Sequence, residues 1–494
     1  MDRGALRGVS RAGQTGGRSG RPPSRPAGSA RPTRRRGTAD RAVPLAAALL
    51  LAAAGAAAAE DRPAVAWGAD LRVRQEYYDH VPSPDGGHVD GGTGNALRVR
   101  PRAWVEWAPA ADLALRARVV EEFRHVWSPE DQTQWKYPDE IVVDALYLDT
   151  GDLAGGRLRL RAGRQDLGYG NGMLVADGTP ADESRTLYFD AVKATWTGVA
   201  RNSIDLLAIY NRPENELALN SSQRDLTSQT GGPDGIAESG GGLYGRNTFF
   251  AILPFEYYYL FKRESEWERP ATPAADGGPA PPARAWQRLD PDTGVIGEPE
   301  LDLHTVGARV QPHLAEGVVA TIEAAGQVGE RGPERVRAYG LDAKLRAGLA
   351  EGLDASAGLY RLSGDDPATA RDEGWNPLWS RTPQYSDLYS LSFPVRRWSN
   401  LNMIHAGLSL SPAEGVRCEA RVAHLDAVER GGPGGGGERG WLGTLKAAFP
   451  LGEDLLTAGD RLTGHALIEW LWPGDYHDTG ETAVFARWQV QYEF

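Results

Sequence analysis

Arginine recurs at every second residue in several stretches of this chain. The run Leu97–Trp107 reads L-R-V-R-P-R-A-W-V-E-W, with Arg98, Arg100, Arg102 and Glu106 alternating against Leu97, Val99, Ala103, Val105 and Trp107. Arg116 and Arg118 alternate with Leu115 and Ala117, and Arg157, Arg159 and Arg161 with Leu158 and Leu160. Arg72 and Arg74 repeat the spacing near the start. Residues two apart share one face of a strand, so these stretches predict rows of guanidinium groups. Such rows attract carboxylates and phosphates through forked hydrogen bonds, and in a pore they select anions. The competing use is internal: Glu76, Glu106, Glu122 and Glu323 are placed to balance part of the charge and stiffen the wall.

Other residue sets offer weaker chemistry. Arg164 falls out of phase with Arg161; a bulge at Gly163 would return it to the same face, where it would pair with Asp166 in a structural role. Asp365, Asp366, Asp372 and Glu373 carry the oxygen ligands that Ca²⁺ takes, but their spacing matches no EF-hand and predicts a solvated loop. Trp375, Trp379, Tyr385 and Tyr389 suit sugar stacking at a mouth, an interface girdle or loop packing. The histidines at 304, 313, 405, 424, 465 and 477 are scattered, without metal spacing or a nucleophile–base arrangement. Cys418 is the single cysteine, which leaves no intramolecular disulfide. No catalytic residue, metal or cofactor is therefore expected.

The elements that must position the arginines follow from composition and pattern. Residues 1–59 hold 11 Arg, no Lys and 2 acids, leaving 43 basic and 64 acidic residues in the remainder and a formal charge of −21 there. That charge excludes a nucleic-acid partner. Residues 1–41 are too poor in large apolar side chains to fold. Arg34, Arg35, Arg36 and Arg41 then precede the apolar run Ala42–Ala59, which ends in small residues at Ala57 and Ala59. This is the pattern of a secretory signal cleaved near Ala59, so residues 1–59 are expected to be a disordered basic extension plus signal, and 60–494 the mature domain.

Beyond Glu60 no apolar stretch is long enough for a membrane helix. Period-2 segments recur instead, as at Val318, Ala320, Ile322 and Ala324 against Thr321, Glu323 and Gln327. Short links rich in Pro or Gly (109–112, 151–156, 198–202, 312–317, 348–352, 412–415) alternate with long polar ones (79–95, 127–139, 169–184, 213–245, 265–300, 363–398, 429–439, 473–481). This order predicts an all-β fold: a transmembrane antiparallel up-and-down β-barrel of about 18 strands, with short periplasmic turns and long extracellular loops. Within it, 246–253 and 255–264 are the least defined strands, joined by a tight turn near Pro254. A β-propeller lacks support because no blade motif repeats. The final strand alternates Ala486, Trp488, Val490, Tyr492 and Phe494 with Arg487, Gln489, Gln491 and Glu493, a soluble sandwich edge being the lesser alternative. A terminal Phe on such a strand resembles the signature read by barrel-assembly machinery. A charge on the lipid face near mid-membrane costs roughly 2–4 kcal/mol. The pore lining is therefore expected to be Arg72, Arg74, Arg98, Arg100, Arg102, Arg116, Arg118, Arg157, Arg159, Arg161 and Arg164 with Glu106, Glu122 and Glu323.

Several stretches resemble the alginate-export porin family: Ala162–Gly170 (A-G-R-Q-D-L-G-Y-G) with Arg185 and Phe189–Val192; Ile322–Gly329 with Ala338-Tyr339; Ser363–Pro367 with Trp375–Trp379; and Pro473–Tyr476 before the last strand. The resemblance spans roughly residues 65–494. It implies an eighteen-stranded, arginine-lined pore exporting an acidic polysaccharide such as alginate through the outer membrane of a Gram-negative bacterium. The expected function is an anion-selective outer-membrane channel whose partners are outer-membrane lipid, the assembly machinery at Phe494 and an anionic solute or polysaccharide. Two alternatives stay open: a general or small-solute-specific porin, and an enzymatic or structural barrel.

Overall fold

The computed structural model describes residues 65–494 apart from 130–133, 137–140, 178–187, 213–216, 218–235, 271–287, 291–294, 382–383 and 394–397. The signal segment expected at 1–59 lies outside the described residues.

Eighteen antiparallel strands close into one barrel. β1 (Val65–Asp79) and β2 (Thr93–Ala110) carry the first arginines, and β3 runs from Leu113–Val120 into Phe123–Ser128. β4 (Val142–Leu153), β5 (Leu158–Gln165), β6 (Phe189–Trp196), β7 (Asn202–Asn211), β8 (Glu238–Asn247) and β9 (Phe255–Glu264) complete the first half. β10 (Leu301–Val310), β11 (Val318–Arg331), β12 (Glu334–Ala350), β13 (Leu353–Leu362) and β14 (Leu401–Ala413) follow. β15 (Val416–Asp426), β16 (Glu438–Glu453), β17 (Arg461–Pro473) and β18 (Ala483–Glu493) complete the second. β18 pairs with β1 from Asp70↔Glu493 to Asp79↔Val484, and Phe494 exchanges backbone hydrogen bonds with Ala69 at 2.8 and 3.0 Å. Closure leaves the sheet no edge, as lipid requires.

The two phases of each strand differ in character. Trp67, Leu206, Val306 and Ile404 are 69, 55, 62 and 58% exposed on the outward phase, while Arg72, Arg74 and Arg100 on the inward phase are 1–2% exposed. No described helix is long and apolar enough to cross a membrane.

Two parts of the sequence reading are corrected. β8 spans Glu238–Asn247, not 246–253, and the turn after it covers 248–254. Gly240, Gly241 and Gly242 lower the strand signal, yet this strand needs them. A Cβ on each would come within 2.0–2.1 Å of the carbonyl oxygens of Phe261, Leu207 and Tyr259. Second, the alternation of loop lengths fails once: β11 and β12 are joined on the long-loop side by Gly332-Pro333 alone, with Gly332 at φ 54°.

Candidate permeation pathway

The arginine rows of β1–β5 do share the inward phase, but acids lie interleaved with them. Arg100 and Arg102 meet Asp70 at 3.0 and 2.5 Å. Glu76 receives Arg98 at 2.7, Arg487 at 2.8 and Arg74 at 3.3 Å. Glu122 pairs with Arg98 at 3.1 Å, Glu106 with Arg116 at 3.4 Å, and Arg118 with Asp144 and Asp166 at 2.8 and 2.7 Å. Asp149 holds Arg159 and Arg161 at 2.9 and 2.5 Å. Arg72, Arg74, Arg100 and Arg118 are buried. Fixed partners of opposite sign cancel most of the field such a row projects into water, so this wall is largely neutralised.

Two expected lining residues fall elsewhere. Arg157 lies exposed in the turn before β5, not on the strand, because the pairing with β4 begins at Leu158. Arg164 stays out of phase: the register runs unbroken through Gly163, placing Arg164 opposite Leu146 and Asp190. Gly163 takes φ 123°, and a Cβ there would lie 2.3 Å from the Leu146 carbonyl oxygen. Arg164 is buried against the Tyr188 ring and pairs with Asp190 at 2.9 Å, not with Asp166. Glu323 is inward but distant from these rows. It lies 3.9 Å from Arg309 and accepts hydrogen bonds from Tyr258 Oη at 3.1 Å and the Asn171 amide at 3.1 Å.

The residues that shape the bore come from two connections whose described residues fold inward, 166–177 and, apart from 382–383 and 394–397, 363–400. Val175-Ala176 pairs in parallel with Trp379-Ser380. Trp379 is fully buried, together with Met173, Leu174, Trp375, Leu388, Tyr389 and Trp398. These pack on inward-facing Leu260, Leu303 and Leu362 of the wall, making a dry apolar core in the outer half of the barrel. The four aromatics at 375, 379, 385 and 389 thus belong to loop packing rather than an outer sugar platform. The four acids at 365, 366, 372 and 373 sit in the same loop, where Asp365 and Asp372 accept backbone amides of Glu373 and Gly374. No group of residues suited to a metal occurs among the described residues.

Buried polar tethers fasten loop 363–400 to strands around the barrel. Lys262 on β9 donates to the Leu378 carbonyl at 2.7 Å while paired with Glu238 and Glu264. Arg381 pairs with Glu238 on β8. Gln327 on β11 exchanges two hydrogen bonds with the Asn376 backbone, at 2.7 and 3.0 Å. Tyr385 Oη donates to Asp342 on β12 at 2.6 Å. The short helix α1 (Asp387–Ser392) is capped by Ser386, and Glu469 of β17 accepts the Leu388 amide at 2.8 Å and the Ser386 hydroxyl at 3.0 Å. Asp387 reaches Arg487 of β18 at 2.7 Å. Tethers to opposite walls mean that the loop crosses the bore.

On the periplasmic side of this crossing lies a vestibule of about 480 Å³ walled by β12–β18. Arg346 pairs with Asp354 and Arg417 with Glu419, each at 2.6 Å. Lys344 and Lys446 face the same space, are exposed, and enter no ion pair among the described residues. Sequence reasoning missed both lysines: Lys446 lies in no alternating basic run, whereas Lys344 stands two residues from Arg346, the spacing that could have found it.

At the outer rim, His477 is buried against Phe393 and Tyr476. Burial, helped by Arg439 and opposed by Asp478, pulls its pKa down to about 4. The unfolded loop therefore binds the proton more readily between pH 6.5 and 4. Stability contributed by neutral His477 is present above pH 6.5 and lost on acidification towards 4, roughly 3 kcal/mol in all. Protection factors of residues 427–437 and 474–482, taken relative to each amide's intrinsic exchange rate at the same pH, should fall over this window, and His477→Phe should abolish that fall. Protection factors that stay flat in the unaltered chain would contradict the assignment.

No protein-family model and no curated protein matches the chain. Solved structures do. Pseudomonas aeruginosa OccK5 (OpdH) aligns with TM-score 0.52 at 12% identity, covering 87% of this chain and 98% of its own. P. aeruginosa OccK2 (OpdF), solved in complex with glucuronate, aligns with TM-score 0.52 at 11% identity over 87 and 98%. P. aeruginosa OpdQ gives the same score, identity and coverage. These neighbours are outer-membrane porins. At such identity the likeness shows the fold alone, a closed antiparallel barrel of 18 strands.

Proposed function

We propose that this chain is an outer-membrane channel of a Gram-negative bacterium that passes small anionic solutes without a catalytic step. The observation that carries the reading is the crossing of the bore by loop 363–400, tethered from Lys262 to Glu469. A polymer needs a continuous wide bore, whereas a crossed bore suits single small molecules. Export of an acidic polysaccharide such as alginate therefore has less support than small-solute permeation. The fold likeness to OccK2 (OpdF), which was solved with glucuronate, agrees in solute size and charge.

Anion preference is assigned to the vestibule rather than to the arginine rows. An exposed, unpaired ammonium keeps its field in water over about 10 Å, and Lys344 and Lys446 both face the 480 Å³ space. The seam-locked Phe494 supports reading the last strand as the assembly signal.

The refolded chain in a planar bilayer under a salt gradient should show an anion-selective reversal potential. Replacing both Lys344 and Lys446 with Glu should reverse its sign. A reversal potential unmoved by the double replacement would remove these lysines from the pathway.

A further inference from the structure

At the outer end of β12 the usual alternation is inverted. Val336 and Ala338 point inward, 4% exposed, into the core made by loop 363–400. Arg335 and Arg337 therefore take the outward phase, and both are exposed. Segment Arg371-Asp372 pairs in parallel with β12, placing Arg371 beside Arg335 on that phase. Arg361 of β13 joins them: its Nε donates to Tyr339 Oη at 3.0 Å and a terminal nitrogen to Asn402 Oδ1 at 3.4 Å. Arg335, Arg337, Arg361 and Arg371 form no ion pair with an acid among the described residues. Glu330 stands opposite Arg335 in the ladder without closing on it. This contrasts with the inward face of the same wall, where Arg309 and Arg331 are paired with Glu256 and Asp372.

The patch sits where the apolar belt ends. Val328, directly opposite Arg337, is 57% exposed, and Tyr339 44%. Like charges side by side in a ladder repel, and guanidinium on a lipid-facing surface is tolerated only near the interface. Both conditions are relieved by an anion at the level of the outer headgroups.

We infer that Arg335, Arg337, Arg361 and Arg371 form a binding site for the phosphates of an outer-leaflet phosphoglycolipid. Each arginine presents a planar fork that matches phosphate oxygens. Spreading the four over two strands and a loop segment suits a headgroup bearing two phosphates. Tyr339, exposed between Arg337 and Arg361, supplies a ring for the sugar or the first acyl carbons to lie against. The lipid would seal the flank of the barrel where the extracellular connection is only Gly332-Pro333.

The full mature chain, folded in zwitterionic detergent, is titrated with diphosphorylated lipid A and with its dephosphorylated form, and occupancy is read by native mass spectrometry. The phosphorylated form should bind, the dephosphorylated form should not, and the quadruple Arg→Gln replacement should weaken binding at least about tenfold. Heat-modifiable electrophoretic mobility establishes folding. Should the quadruple variant not fold, Arg337→Gln and Arg371→Gln singly are each expected to weaken binding. Equal binding of both lipid forms, or undiminished binding by folded variants, would overturn the site. Full competition by millimolar inorganic phosphate would also overturn it, by pointing to an adventitious anion site instead of a lipid one.

Discussion

Replacing residues 376–397 with a short Gly-Ser connection is expected to raise single-channel conductance several-fold. The described residues of that segment include Trp379, Tyr385 and α1, and they fill the bore between β8–β9 and β17–β18. The barrel ladder does not run through it, since β13 and β14 pair with each other from Leu353↔Leu410 to Leu362↔Leu401. Wall groups that lose their partners, such as Lys262, Asp342 and Glu469, would then face water, which supplies replacement hydrogen bonds in a widened lumen. The barrel should therefore still fold. Conductance in a planar bilayer is the readout. An unchanged value from a folded variant would place the current path somewhere other than past this loop.

Trp379→Ala is expected to cost the inward loops roughly 3–5 kcal/mol, the range for truncating a buried Trp. The side chain is fully buried, and its ring fills the space beside Gly240, where a Cβ would approach it to 2.8 Å. Its backbone amide also donates to the Leu174 carbonyl at 2.8 Å, joining the two loops. The loss should be local, because the strand ladders make no use of this ring. Hydrogen exchange of residues 166–177 and 363–381 should accelerate by orders of magnitude, while exchange in β14–β18 stays as it was. A loss below about 1 kcal/mol would mean that the cluster is held chiefly by its polar tethers, whose net contributions are individually about 0.5–1.5 kcal/mol.

The barrel was legible in the sequence because a strand with lipid on one side and side-chain partners on the other must alternate, and β1, β2, β11 and β18 do so cleanly. Phe494 and the preceding Tyr492, Val490 and Trp488 share the outward phase that the pattern implies. β8 was hidden because Gly240–Gly242 carry no side chain with which to alternate. The hairpin at Gly332-Pro333 was hidden because nothing in a run of alternating residues says how far the strands extend before turning.

The pathway was less legible than the wall. Alternation identifies which residues leave the lipid, but not what they meet inside. The acids that neutralise Arg100, Arg102, Arg118 and Arg161 sit on neighbouring strands, in registers the sequence does not display. Trp375, Trp379 and Tyr389 were visible as an aromatic group, yet their direction depends on Leu260, Leu303 and Leu362, apolar residues on the inward phase of distant strands. Those inward leucines were the available signal: an apolar side chain facing a pore predicts something folded against it. Lys344 and Lys446 acquire their role only from forming no ion pair among the described residues, although Glu419 stands opposite Lys446 in the ladder; that is a property of the closed barrel.

The most direct test of the account is solute size. Liposomes containing the refolded chain are exposed to iso-osmotic glucuronate and to uronate oligomers of increasing length, and swelling rates are compared. The account predicts rapid entry of the monomer, steeply slower entry of the dimer and none for longer chains. Entry of long oligomers at rates near that of the monomer would contradict a bore crossed by loop 363–400 and restore the polysaccharide-conducting reading.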